Sequence, residues 1–126
     1  MSKHPVVHIE ISAKDREAAG KFYTDLFGWD IQQMPDMNYA TFSTGEGEVG
    51  GVFSPVMENN PAGTTTAYVG TDDIDATLAK AVSLGAQILV PKTEIPGMGW
   101  FGIFKDLTGN HVGLFTALPM LLVSQL

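Results

Sequence analysis

Polar and apolar side chains alternate through "VVHIEIS" (residues 6–12), with Val7, Ile9 and Ile11 set against His8, Glu10 and Ser12. That period of two predicts a strand with one face on a core. After Asp15 the period lengthens. Ala19, Phe22, Tyr23, Leu26 and Phe27 recur at helical spacing and predict one apolar stripe. Asp15 can cap this helix by accepting from its free N–H groups, and Gly28 fits the left-handed residue that closes it. The device returns at a constant offset (72 − 15 = 85 − 28 = 57): Asp72 precedes a run holding Ile74, Leu78, Ala81 and Val82, and Gly85 follows it. Asp75 adds an acid near the positive end of the second helix dipole.

Each helix has one strand-like run before it and three after. "WDIQQM", "YATFS" and "VGGVFS" follow the first, with "PDMN" and "TGEGE" as turns. "TTTAYVG" precedes the second; "AQILV", "WFGIFK" and "HVGLFT" follow it, separated by the loop "PKTEIPGMG" and the turn "DLTGN". The order is βαβββ written twice, an α+β architecture within one domain. Module one covers about 5–54, a linker 55–63, module two about 64–116, and an apolar tail 117–126. One helix per module leaves the other face of the strands for a concave cavity. Alternation assigns to it His8, Glu10 and Ser12 in the first strand, Thr66 and Tyr68 in the fifth, and His111, Gly113 and Phe115 in the eighth. In the fourth strand Val49, Gly51 and Phe53 are the expected inward set, with a one-residue slip open because Gly50 and Gly51 are adjacent.

Charge and composition narrow the partners. Seven basic against fourteen acidic residues give a net charge of −7. That argues against nucleic acid or an anionic membrane, both of which need clustered Lys or Arg, and suits a neutral or cationic small molecule. There is no cysteine, so thiolate catalysis, disulfides and Cys-ligated metals are excluded. "MSKHPVVHIE" has no apolar run of signal-peptide length, and "ALPMLLVSQL" is too short to span a bilayer. The expected setting is the cytoplasm, with the tail covering a core edge or a subunit interface. No Ser-His-Asp spacing or dinucleotide fingerprint is present, and "GEGEVGG" lies in a strand–strand turn rather than before a helix.

The doubled βαβββ order, the "D…FY…LFGW" pattern of the first helix and "DLTGN" before the last strand resemble the vicinal oxygen chelate superfamily, which includes glyoxalase I, extradiol dioxygenases and bleomycin-resistance proteins. The likeness covers about residues 6–116. It implies a cupped mixed sheet around a central cavity, and a homodimer. Metal-dependent members hold their ion with four side chains on the concave face, two per module. The resemblance places the first at His8, the second at Gly50 or Gly51, the third at Thr66 and the fourth at Gly113, seven residues after Asp106. Glycine offers no donor, and a neutral threonine hydroxyl is a poor one for a transition metal. No metal or other cofactor is therefore expected. A set of His8, Glu10 and His111, in the manner of a two-histidine, one-carboxylate centre, is the alternative that would supply one.

Phe53, Tyr68, Met98 and Phe115, with Trp100 or Phe104, are the candidate lining of a small-molecule pocket, alongside Thr66 and His111. Glu10 is the carboxylate expected to face it, with His8 beside it for acid–base work. "PKTEIPGMGW", which carries Lys92, is either a mobile lid or a stiff connector. The leading reading is a metal-free small-molecule binding protein of the glyoxalase/bleomycin-resistance type. The alternatives are a glyoxalase-like lyase or isomerase, using a non-standard metal site or Glu10/His8 chemistry, and an assembly module built on the tail from Leu118 to Leu126.

Overall fold

A computed structural model of the chain describes residues 4–118. Its elements are β1 (Val6–Ala13), α1 (Arg16–Phe27), β2 (Asp30–Met34), a 3-10 turn (Pro35–Met37), β3 (Tyr39–Ser43), β4 (Gly50–Pro55), β5 (Thr65–Gly70), α2 (Ile74–Ser83), β6 (Gln87–Ile95), β7 (Gly99–Lys105) and β8 (His111–Ala117). This is the α+β order expected, βαβββ twice. The chain divides into two compact units, with the boundary inside β5: residues 7–67, and residues 68–118 together with 4–6. Residues 119–126, and with them nearly all of the tail assigned to an interface, lie outside the described residues.

In the first unit the strands run β2-β3-β4-β1, with β1 parallel to β4 and the other pairs antiparallel. Asp15, in extended backbone, accepts from the N–H groups of Glu17 and Ala18 at 3.1 and 3.0 Å, and Gly28 closes α1 at φ 76°. The core is Ala40, Phe42 and Phe53, packed by Ile9, Ile11, Ala19, Tyr23, Trp29 and Ile31. Aromatic rings stack through it: Phe53 on Tyr23, Tyr23 on Trp29 and Trp29 on Phe42, with centroids 5.4, 5.1 and 4.8 Å apart. Only part of the expected α1 stripe is used. Ala19 and Tyr23 pack inward, whereas Phe22, Leu26 and Phe27 are 58, 57 and 59 % exposed.

The second unit runs β5-β8-β7-β6, with β5 parallel to β8. Ile74 and Leu78 of α2 and Leu114 of β8 are buried together, packed by Val69, Trp100 and Phe104. The N-cap of α2 is Asp73 and not Asp72 as expected. Asp73 is the residue held extended directly before the first turn, and its carboxylate accepts from the Ala76 N–H at 2.9 Å. The repeat is thus 58 residues at this end (73 − 15). Gly85, at φ 107°, follows the C-cap Leu84 and donates to the Val82 carbonyl at 3.0 Å. The segment expected as a lid or connector is neither. "PKTEI" belongs to β6, which pairs with β7 from Gln87↔Lys105 to Ile95↔Gly99, so only residues 96–98 remain as a turn. Pro91 is tolerated there because β6 is an outermost strand.

Candidate functional site

In each unit the helix covers one face of the strands, and the candidate residues divide according to which face they occupy. In the first unit the register sets His8 opposite Gly50, Glu10 opposite Val52 and Ser12 opposite Ser54. Cross-strand partners share a face, so this set lies away from α1. The intervening pairs, Ile9↔Gly51 and Ile11↔Phe53, face the core. The inward set expected for β4 is therefore one residue out of phase. Phe53 is a core residue with no exposed surface, stacked under α1, and not a ligand contact. At Gly51 a Cβ would stand 2.8 Å from the Phe42 ring and still closer to the Ile9 carbonyl oxygen. Close approach of backbone, rather than a cavity, is what demands glycine there.

His8 and Glu10 are brought together. Nε2 of one lies 3.7 Å from Oε2 of the other, and the side chains are 34 and 31 % exposed. Both retain access to solvent and to one another, the arrangement that lets a proton pass between imidazole and carboxylate or a third group. The hydroxyls on the same face are otherwise engaged. Ser12 Oγ donates to the Pro61 carbonyl at 3.0 Å and accepts from the Thr64 N–H, while Ser54 Oγ accepts from Asn60 Nδ2 at 3.0 Å.

In the second unit the helix-free face is aromatic. One row across the strands reads Tyr68, Gly113, Ile103, Val90; the next reads Gly70, Phe115, Phe101, Thr93. Tyr68 is 7 % exposed, and its ring overlies Gly113, where an added Cβ would stand 2.3 Å from Cδ2. Thr66, two positions before Tyr68 on β5 and on the first unit's side of the boundary, is buried at 8 %. His111 is exposed at the start of β8, opposite Lys105. Tyr68, Phe115, Thr66 and His111 thus occupy the faces alternation assigned them.

Three other candidates do not. Trp100 and Phe104 face α2, packed on Ile74, Leu78 and Leu114, and the Lys92 ammonium sits 5.1 Å from the Trp100 ring centroid. Met98 is in the β6–β7 turn, 47 % exposed, with its N–H donating to Ile95 and its carbonyl accepting from Leu118. Phe101 and Ile103 hold the places given to Trp100 and Phe104. Both alternations of "WFGIFK" are apolar, so period alone does not choose between them. The usable signal was Gly102, which is bare where α2 presses closest: a Cβ there would meet Ile74 Cγ2 at 3.2 Å and Leu78 Cδ1 at 3.4 Å.

The donors do not fit a four-ligand metal centre. The β4 residues on the face of His8 are Gly50, Val52 and Ser54, Thr66 offers a hydroxyl, and the Tyr68 ring fills the space that a side chain at Gly113 would need. Among the described residues no three His, Cys, Asp or Glu side chains are grouped so as to hold a metal ion; of the alternative set, His8 and Glu10 lie in the first unit and His111 in the second. Between β7 and β8, Asp106 gathers the "DLTGN" turn. Its carboxylate accepts from the Asn110 N–H at 2.8 Å, Asn110 Nδ2 at 3.1 Å and the Thr108 N–H at 2.9 Å. Bonds from Asn110 backbone and side chain, then from Thr108 and Gly109, hold it below the usual carboxylate range against a smaller opposing effect of desolvation.

Residues 6–45 match the model of the bleomycin resistance protein-like N-terminal family. The chain is 35 % identical over 117 residues to a glyoxylase-like domain-containing protein of Didymella fabae, covering 86 % of this chain and 90 % of that one. It is 32 % identical over 115 residues to CFP32 of Mycobacterium tuberculosis, of whose length it spans 44 %. Among solved structures it is similar to methylmalonyl-CoA epimerase from M. tuberculosis (TM-score 0.68, 15 % identity, 94 % of this chain and 91 % of that one). A glyoxalase/bleomycin resistance protein/dioxygenase superfamily member from Vibrio splendidus is comparably similar (TM-score 0.65, 17 % identity, 90 % and 99 %). Among the described residues no helix is long and apolar enough to cross a membrane.

Proposed function

This chain belongs to the vicinal oxygen chelate (glyoxalase/bleomycin-resistance/dioxygenase) superfamily, and we propose that within it the chain is a cytoplasmic small-molecule binding protein that works without a metal. One observation carries the reading. The position where a metal-dependent relative would need a carboxylate is Gly113, and a buried tyrosine ring lies over it. A face with an aromatic ring where a donor would stand lacks that ligand for a Lewis-acid metal and is apolar instead. Phe101 and Phe115, with Ile103 two positions along β7 on the same face, offer a flat apolar ligand rings and aliphatic carbon. Phe115 and Phe101 are directly opposed on adjacent strands and only half-buried, so both keep surface to give to a ligand.

The test combines elemental analysis of the purified chain with a thermal-shift screen of planar aromatic compounds, neutral and charged, with and without EDTA. The expected result is sub-stoichiometric metal, no response to EDTA, and stabilising hits that Phe115→Ala weakens. About one metal per chain, with a melting point that falls in EDTA, would overturn the reading.

A second reading has its own observation, the His8–Glu10 pair at 3.7 Å. A carboxylate beside an imidazole suits proton abstraction and return, the chemistry of an isomerase or lyase, and one structural neighbour is named as an epimerase. It predicts turnover lost in Glu10→Gln while binding of the same compound persists. Binding of a ligand that is recovered unchanged, equally well by wild type and Glu10→Gln, leaves the first reading alone.

A further inference from the structure

The helix-free face of the second unit changes character along its strands. Beyond Ile103, at the end away from Phe115 and Phe101, a third row reads His111, Lys105, Gln87. Alternation puts all three on the face of Phe115, away from α2. His111 and Gln87 are exposed and Lys105 is half-buried. Among the described residues neither basic group forms an ion pair; the pairs present, His8–Glu10 and Lys21–Asp25, both lie in the first unit. The nearest carboxylates in sequence are engaged elsewhere. Asp106 follows Lys105, but its carboxylate accepts from Asn110 and Thr108 within the turn. Glu94 stands opposite Trp100, on the side of α2. A chain of net charge −7 thus sets two basic side chains opposite one another on this face, with no acid in their row.

We infer that the ligand of this face is an anionic planar aromatic compound, an aryl carboxylate whose rings lie on Phe101, Phe115 and Ile103 and whose acid group meets Lys105 and His111. The inference rests on the binding role proposed above and names the class of compound bound. Basic groups directly opposed across two strands repel when both are charged, and a carboxylate placed at them relieves that repulsion. Half-burial of Lys105 reduces the screening of its charge, so a carboxylate there gains more than it would from a fully solvated lysine. The Gln87 amide, next in the row, can donate to the same acid group. Four residues along a strand separate Phe101 from Lys105 and Phe115 from His111, roughly 13 Å of backbone. Two or three fused rings suit that span better than one. Because β6 is an outermost strand, the Gln87 end of the row is open to approach. Net charge alone favours a neutral or cationic partner, but it governs the long-range field; the charges on the face itself govern what is held there.

Titration calorimetry of the full chain with naphthoate, naphthamide and naphthylmethylammonium, substituted at the same ring position, separates charge from rings. The expected result is naphthoate bound about tenfold or more tighter than the amide, with the ammonium compound weakest. Lys105→Gln is expected to remove most of that preference while leaving the affinity for the amide unchanged. Lys105→Glu is expected to reverse the order, so that the ammonium compound binds tightest. Phe115→Ala is expected to weaken all three alike. Each preference is a ratio taken within one variant, so a change in stability common to the three compounds cancels. Equal binding of the three by wild type, or a carboxylate preference that Lys105→Gln leaves intact, overturns the anionic assignment and leaves the aromatic site standing. Binding of none of the three overturns the binding role itself, and this inference with it.

Discussion

Substituting alanine for Gly113 tests the arrangement on which the proposed function rests. A Cβ at that position would lie 2.3 Å from Tyr68 Cδ2, 2.4 Å from Cε2 and 2.7 Å from Cγ, well inside the roughly 3.5–4.0 Å of an unstrained carbon contact. The clash reaches the base of the ring, so turning its far end aside is not enough; χ1 has to change or the strands have to separate. Forcing an extra carbon into a filled site costs about 1–3 kcal/mol. Against this, alanine loses less chain entropy than glycine on folding, about 0.4–1 kcal/mol in its favour. The net expectation is destabilisation by about 1–2 kcal/mol, read as a lower urea midpoint at unchanged slope. The cycle with Tyr68→Ala makes the reasoning falsifiable. Without the ring the obstacle is gone, so Gly113→Ala becomes neutral or stabilising by up to about 1 kcal/mol. The sign of the effect therefore depends on whether Tyr68 is present. Equal costs in both backgrounds, within about 0.5 kcal/mol, would mean that the ring does not lie over Gly113, and the account of this face would fail. By the same reasoning Gly113→Glu adds a donor only by displacing Tyr68, so it is expected to destabilise the chain without conferring metal binding.

Three further outcomes are expected. Asp73→Ala should cost about 1 kcal/mol of stability by removing the α2 cap, whereas Asp72→Ala should stay within about 0.5 kcal/mol of wild type; denaturant melts of the two variants distinguish them. Phe53→Ala should cost about 3–5 kcal/mol as a core truncation, while Phe115→Ala, half-buried, should cost less and show chiefly as lost ligand response in the thermal-shift screen. Because the Asp106 carboxyl is held below its ordinary value in the folded chain, the unfolded state binds the proton more readily. The resulting stabilisation is fully present above the ordinary carboxylate pKa of about 3.9 and is lost as pH falls through the lower folded value. Urea melts between pH 6 and about 2.5 should show a steeper acid decline for wild type than for Asp106→Asn.

The division between what the sequence discloses and what it conceals follows from how much each pattern constrains. From Val7 to Ala13 of β1 polar and apolar residues alternate strictly, so His8 and Glu10 could be assigned a face before any pairing was known, and the register with β4 keeps them there. In β4 valine, phenylalanine and two adjacent glycines leave both phases apolar. The phase is decided by a partner strand: Ile11 opposite Phe53 carries the ring to the helix side, and the close approach of Ile9 to Gly51 excludes any side chain between. That information is tertiary and has no local trace. The apolar run of "WFGIFK" is ambiguous for the same reason, and there the bare Gly102 under α2 was the mark that could have resolved it.

Helix α1 poses the problem in a different form. At about 100° per residue, the five apolar positions from Ala19 to Phe27 fan over roughly 140° of the helix surface, more than one sheet face covers. Tyr23 takes the centre of the contact, stacked on both Phe53 and Trp29, and Phe22 and Leu26 fall at the edge that remains outside. A periodicity argument assigns all five to one core because it has only one surface to give them. The excess is Phe22 and Leu26, one turn apart and 58 and 57 % exposed, with the Lys21–Asp25 ion pair beside them. The breadth of the stripe, wider than a single packing face, is thus the sequence trace of that division between packed and exposed positions.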